Sequence, residues 1–253
     1  MIRGMYISTM GMLNDMYKLD LISNNLSNVD TVGYKKDVAA FKTYMDRMMF
    51  SNASDNPFNN LHPIGVLEGA VVLDEVKPVI TQGPLEYTGN PYDIAINGEG
   101  FFVVDRNGAT LYTRAGNFKR NAEGFLVTGR GDFVLSENGN KIKIPNDAYI
   151  SEDGTIYDSS NEKIARIATV VFKNPNKLKK VGYNYFRETD ESGKASFAKL
   201  GLKVGYIEKS NVNALREMVN MIKALRHFEI AQRAVTTSDE LLGRLFNSVG
   251  TLR

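Results

Sequence analysis

The sequence predicts an α+β protein in which long N- and C-terminal helices form a coiled-coil-like inner unit, with a central, all-β antiparallel body. Two observations carry that prediction. Apolar and small residues recur at steps of three and four at both ends of the chain, the a/d spacing of a helix seam. Between the ends, short β-type runs are broken at close intervals by turn dipeptides.

The first element is an amphipathic helix over residues 3 to about 27, with a seam of Met5, Thr9, Met12, Met16, Leu19, Ser23 and Leu26. A second apolar row, Tyr6, Met10, Leu13, Tyr17 and Leu21, widens its apolar arc beyond what one partner helix covers. The tract NVDTVGYKK, residues 28–36, ends this helix with turn-forming Asn, Asp and Gly. A short apolar segment runs on to Met49. From Phe50 to Gly65 the chain turns to Ser, Asn, Asp and Pro without periodicity, which predicts an exposed, mobile loop.

From Val66 to Ile207 the runs GFFVVD, FLVT, FVLS and IATVVF are β-rich and too short for helices. Asn107-Gly108, Glu123-Gly124, Asn138-Gly139, Asp153-Gly154 and Ser192-Gly193 separate such runs and favour antiparallel hairpins. At Ser210 the residues Ser-Asn-Val-Asn offer polar side chains for the free amides of a helix start. The C-terminal helix carries a seam of Met221, Ala224, Phe228, Ala231, Val235, Ser238, Leu242, Leu245, Val249 and Leu252. Forty helical residues span about 60 Å, more than the width of so small a domain. Together with the wide arc of the first helix, this length favours packing between copies over a closed intramolecular pair.

The organisation expected is therefore a terminal helical assembly domain, residues 1–32 plus 211–253; a connecting segment, 33–85 plus 199–210, with a mobile loop near 50–65; and a β-rich body, 86–198.

Composition excludes several function classes. The 31 basic and 29 acidic residues leave a formal charge of +2, too little field to draw in nucleic acid or an anionic bilayer. There is no cysteine, so neither a disulfide framework nor a thiolate site exists. The N-terminal apolar run is interrupted by Asp15, Lys18 and Asp20 and reads neither as a secretory signal nor as a membrane span.

The motifs that could carry chemistry read as structure. Gly98-Glu99-Gly100 opens like a dinucleotide loop, but Val103 stands at the third glycine position and a strand follows. His62 and His227, the two histidines, have no ligand-spaced partner. Lys173, Lys177, Lys179 and Lys180 flank a turn and read as a solvated loop. No catalytic, cofactor or metal residue is expected; a β-rich enzyme acting on cell-wall glycan is the competing class, with no motif in its favour.

The tract ISNNLSNVDTVGYKK resembles the signature of flagellar rod, hook and hook-associated axial proteins. The C-terminal SNVNALREMVNMIKALRHFEIAQRAVTTSDELL looks like the matching end, and YTRAGNFKRNAEGFLVTGRGDFVL is similar to the body of basal-body rod proteins. The resemblance implies a non-enzymatic subunit of the flagellar basal body. Its terminal helices would pack with copies of itself into a tube that carries motor torque to the hook, beside neighbouring rod and hook subunits. It also implies export without a cleaved signal peptide through the flagellar type III apparatus. The helix-ending motif falls on Asn24, Asn25, Leu26, Asn28, Thr31, Gly33, Tyr34 and Lys35, and the export pattern on Phe41 and Met45. Length and whole-chain similarity suit a distal-rod subunit, with a proximal-rod or hook-type subunit of the same family as the alternative.

Overall fold

The computed structural model describes residues 2–44, 47–52, 61–67, 70–182 and 184–250. It holds two long helices, α1 (Ile2–Ser27) and α2 (Ala214–Gly250), at the two ends of the chain, with strands and turns between them. At 37 residues, α2 is about 55 Å long. Two compact units result: Met1–Asn24, Val38–Val76 and Leu215–Arg253 in one, Asn25–Asp37 and Lys77–Ala214 in the other.

The first unit joins both helices with β1 (Asp37–Tyr44), β2 (Arg47–Asn52), β3 (Leu61–Leu67) and β4 (Ala70–Pro78). β1 pairs with β4, and β2 with β3 antiparallel. This corrects the expectation of a featureless loop over 50–65: both flanks are strands, and the residues between them, 53–60, lie outside the described residues. Turn-rich composition hid the pairing because the one proline in the ladder, Pro63, sits where the register shifts beside Phe50. A proline, having no N–H to give, is tolerated at such a bulge. Asn14 of α1, buried, donates to the carbonyl of Val71, and Lys18 lies 4.9 Å above the Phe41 ring.

The second unit is the β body. β5 (Leu85–Tyr87), β6 (Ile94–Ile96), β7 (Phe101–Arg106) and β8 (Ala109–Thr113) open it. β7 and β8 pair antiparallel across Asn107-Gly108, both at positive φ, 53° and 81°. That is the two-residue hairpin Asn-Gly favours, because Asn and Gly enter the left-handed region at least cost. The largest sheet runs in the order Lys179–Val181, Tyr185–Arg187, β8, β7, Phe133–Val134, Leu126–Val127, Lys119–Arg120, and Thr169–Val171 also pairs with β7.

β7 is central and covered on both faces, which is why its sequence is an unbroken apolar run and not an alternating one. Phe102 and Val104 face one cluster with Ile94, Leu111, Phe118 and Leu126. Phe101 and Val103 face another with Tyr112, Val170, Phe172 and Phe186. Gly98 and Gly100 precede this strand at positive φ, so the tract is a turn before a strand, as its sequence suggests.

The unit boundaries differ from the expected ones. Residues 25–37, 77–85 and 199–214 belong with the body, and 38–76 with the helices. The reason is a set of buried polar side chains that hydrophobic patterning does not reveal.

Candidate functional site

The helix-ending motif folds into a hydrogen-bonded turn. Asn25, buried, uses its whole amide: Oδ1 accepts from Tyr34 Oη (3.1 Å) and the Asp37 N–H (2.9 Å), while Nδ2 donates to the Asp37 carbonyl (2.9 Å). Asn28 Oδ1 accepts from the Thr31 hydroxyl. Gly33 has φ 69°, and a side chain there would overlap the backbone of Arg114 and Ala115. Its N–H donates to the Glu208 carbonyl at 2.7 Å. Asn24 and Leu26, the remaining residues of the first half of the motif, are exposed and half-buried respectively.

Lys35 has no exposed side-chain surface, and its Nζ donates to Glu208 Oε1 and to the Thr81 carbonyl (2.6 Å). The same Glu208 oxygen accepts from the Gly83 N–H (2.8 Å), and its other oxygen accepts from Arg114 Nη1 (3.1 Å). Arg114 Nη2 reaches the Gly98 carbonyl at 2.8 Å, while Nε is buried without a partner. Burial pushes the Lys35 ammonium below the ordinary lysine value, opposed by the Glu208 charge, and lowers Arg114 in the same way.

Around this cluster the connectors are laced together. Asn211 Oδ1 accepts from the Lys36 N–H (2.8 Å), and its Nδ2 donates to the Val79 carbonyl (2.8 Å). Asn211 was expected to serve the helix start; it serves the connector instead, and the Ser210 hydroxyl accepts from the Val212 N–H. Lys180 donates to Asp37 Oδ2 and the Lys35 carbonyl, both at 2.8 Å, and lies 3.8 Å from the centre of the Tyr34 ring. The reading of Lys180 as part of a solvated loop is therefore corrected. Lys177 pairs with Glu191 at 2.6 Å, as a surface loop residue would.

The structure also shows which helix faces are covered. On α2, Ala214, Glu217 and Asn220 of the first turns and Met221, Ala224, Phe228, Ala231, Val235, Ser238 and Leu242 of the seam are buried or half-buried. Every other described side chain from Ile222 to Asn247 is exposed, Leu245 of the seam among them. The Val249 and Leu252 side chains lie outside those described.

A second apolar row is left open on the same helix: Leu215, Met218, Ile222 and Leu225, with exposures of 45% to 73%. On α1, Met5, Met12, Leu19 and Leu26 are half-buried, whereas Met16 and the second-row residues Tyr6, Leu13 and Tyr17 are exposed. Phe41 is half-buried on β1, and Met45 lies outside the described residues. Sequence reasoning missed Arg114, Glu208 and Asn211. A lone carboxylate between β-type residues in GYIEKS is the weak signal that could have found Glu208.

Among the described residues no group of three or more acidic or histidine side chains could hold a metal, and no helix is long and apolar enough to cross a membrane. Three family models match the chain: the flagella basal body rod protein at 5–35, the flagellar hook protein FlgE/F/G D1 domain at 95–158, and the flagellar basal body rod FlgEFG protein C-terminal at 203–248. The flagellar basal-body rod protein FlgG of Bacillus subtilis is 37% identical over 98% of this chain and 99% of its own. FlgG of Borreliella burgdorferi is 35% identical over 96% and 97%. The rod protein FlgF of Caulobacter vibrioides is 29% identical over 94% of each. These relatives are structural proteins and not enzymes. With buried motif residues, paired terminal helices in one unit and near-complete coverage of such relatives, this chain belongs to the flagellar basal-body rod protein family.

Proposed function

We propose that the chain is a distal-rod subunit whose copies assemble through the apolar rows left open on α1 and α2. The observation that carries this reading is the exposure of Leu215, Met218, Ile222 and Leu225 at steps of three and four on a helix whose seam from Met221 to Leu242 is buried or half-buried. A contiguous exposed apolar stripe of this kind marks an interaction surface. Its period fits another helix. On α1, Tyr6, Leu13 and Tyr17 offer a second such stripe.

The distal-rod type is supported by relatives named FlgG at 32% to 37% identity, against 29% for the FlgF relative. The subunit then acts mechanically outside the cytoplasm, passing torque along a tube of copies. Phe41, with Met45, is the candidate export signal. Imaging of basal bodies from cells lacking the gene, complemented with a chain tagged in the β body, tests the reading: label along the distal rod supports it, and label confined to the proximal rod assigns the chain to the other subunit type.

A further inference from the structure

We infer that the connectors close onto the β body as one cooperative joint keyed by Glu208, and that this joint opens separately from the apolar core. Glu208 faces two cations, Lys35 and Arg114, with neither its own side chain nor theirs more than 1% exposed. One carboxylate against two cations leaves the cluster with a net positive charge in the interior. Such a group is tolerable while every partner is in place and costly once one leaves. Freeing the Lys35 segment alone would remove a donor from a buried carboxylate. Freeing the Glu208 segment would strand two buried cations.

Backbone bonds tie the same segments together. Gly33 donates to the Glu208 carbonyl, Gly83 to the Glu208 carboxylate, Lys36 to Asn211, and Lys209 to the Pro84 carbonyl. Loss of any one segment therefore undoes bonds in the others, which is the condition for all-or-none opening. The two apolar clusters of the body, by contrast, are built from residues between Ile94 and Leu202 and contain none of these side chains. The unpartnered Arg114 Nε lowers the satisfaction of the joint relative to that core.

Amide exchange of the full-length chain in rising, sub-denaturing urea tests this. The N–H groups of Gly33, Lys36, Gly83 and Lys209 are expected to merge into one opening with a shared urea dependence, below that of the β7–β8 ladder. Glu208→Gln is expected to speed exchange at these four sites at least tenfold more than at β7–β8. Should that variant fail to fold, the wild-type urea series still decides. Four sites opening with unrelated urea dependences, or opening only together with β7–β8, would overturn the joint as a unit.

Discussion

Lys35 and Glu208, 173 positions apart in the sequence, share a hydrogen bond in which neither side chain retains any exposed surface. Arg114 holds the other carboxylate oxygen. The segments that carry Lys35 and Glu208 are thereby joined to each other and to Arg114 of the body through one acidic side chain.

Substitutions in this trio should not cost alike. Lys35→Met leaves Glu208 paired with Arg114 and the site neutral, whereas Glu208→Gln leaves two buried cations without a counter-charge. Breaking a buried pair by removing one partner costs about 3–5 kcal/mol. Glu208→Gln should fall in or above that range and Lys35→Met below it, as read by urea unfolding of the body. Equal losses would mean that Arg114 does not depend on Glu208.

Gly33→Ala should destabilise the second unit by more than the cost of holding a side chain in the left-handed region, about 1–3 kcal/mol, because its Cβ also overlaps the Arg114–Ala115 backbone. Gly33→Asn should not recover that loss. Asparagine enters this region readily, but its Cβ still meets the Arg114–Ala115 backbone. A thermal melt of the two variants separates backbone conformation from close packing, and recovery with Asn would leave conformation as the whole cause.

Alkaline pH should weaken the body from about pH 10 upward. Burial, with the Asp132 hydrogen bond, pushes Tyr185 up to about 12, and burial beside Glu188 does the same to Tyr112. The unfolded chain releases these protons near pH 10, so their contribution is present below that value and is lost as pH climbs toward 12, at up to about 1.4 kcal/mol per pH unit for each group. Buried Lys35 and half-buried Lys180 act in the opposite sense. Their folded values lie below 10.5, the unfolded chain binds more protons just under it, and rising pH relieves their burial. The tyrosine contribution is isolated by Tyr185→Phe, which should flatten the fall in stability between pH 10 and 12; an unchanged slope would rule Tyr185 out.

Phe41→Ala should reduce secretion of the chain while leaving the unfolding of the β body unchanged. Phe41 lies on β1 in the helical unit, under Lys18, and not in either core cluster of the body. Secretion assays paired with urea unfolding check both halves, and normal secretion would remove Phe41 from export.

Much of this architecture was legible in the sequence because it rests on period. The heptad steps located both helices, α1 to within a residue or two, and Asn107-Gly108 located the β7–β8 hairpin. Of the α2 seam named from spacing, the residues from Met221 to Leu242 are buried or half-buried and Leu245 is exposed. What spacing could not give was the occupant. A seam reads the same whether its partner lies in the same unit or in another copy. The joint was illegible for a different reason: Lys35, Arg114 and Glu208 form it through separations no local pattern encodes. The family signature flagged Lys35 without its partners.

On the proposed reading the row Leu215, Met218, Ile222 and Leu225 meets other copies, whereas the half-buried seam through Val235 and Leu242 packs within the subunit. Val235→Asp or Leu242→Asp should then disturb the monomer itself, since an unpaired buried charge costs several kcal/mol, on the order of the whole stability of a small unit. Ile222→Asp places its charge on a surface already exposed in the monomer. The most direct measurement is imaging of basal bodies in cells carrying Ile222→Asp, with amide exchange of the purified monomer as control. The account predicts wild-type exchange in the monomer and truncated or absent rods, whereas normal rods built from Ile222→Asp subunits would contradict it.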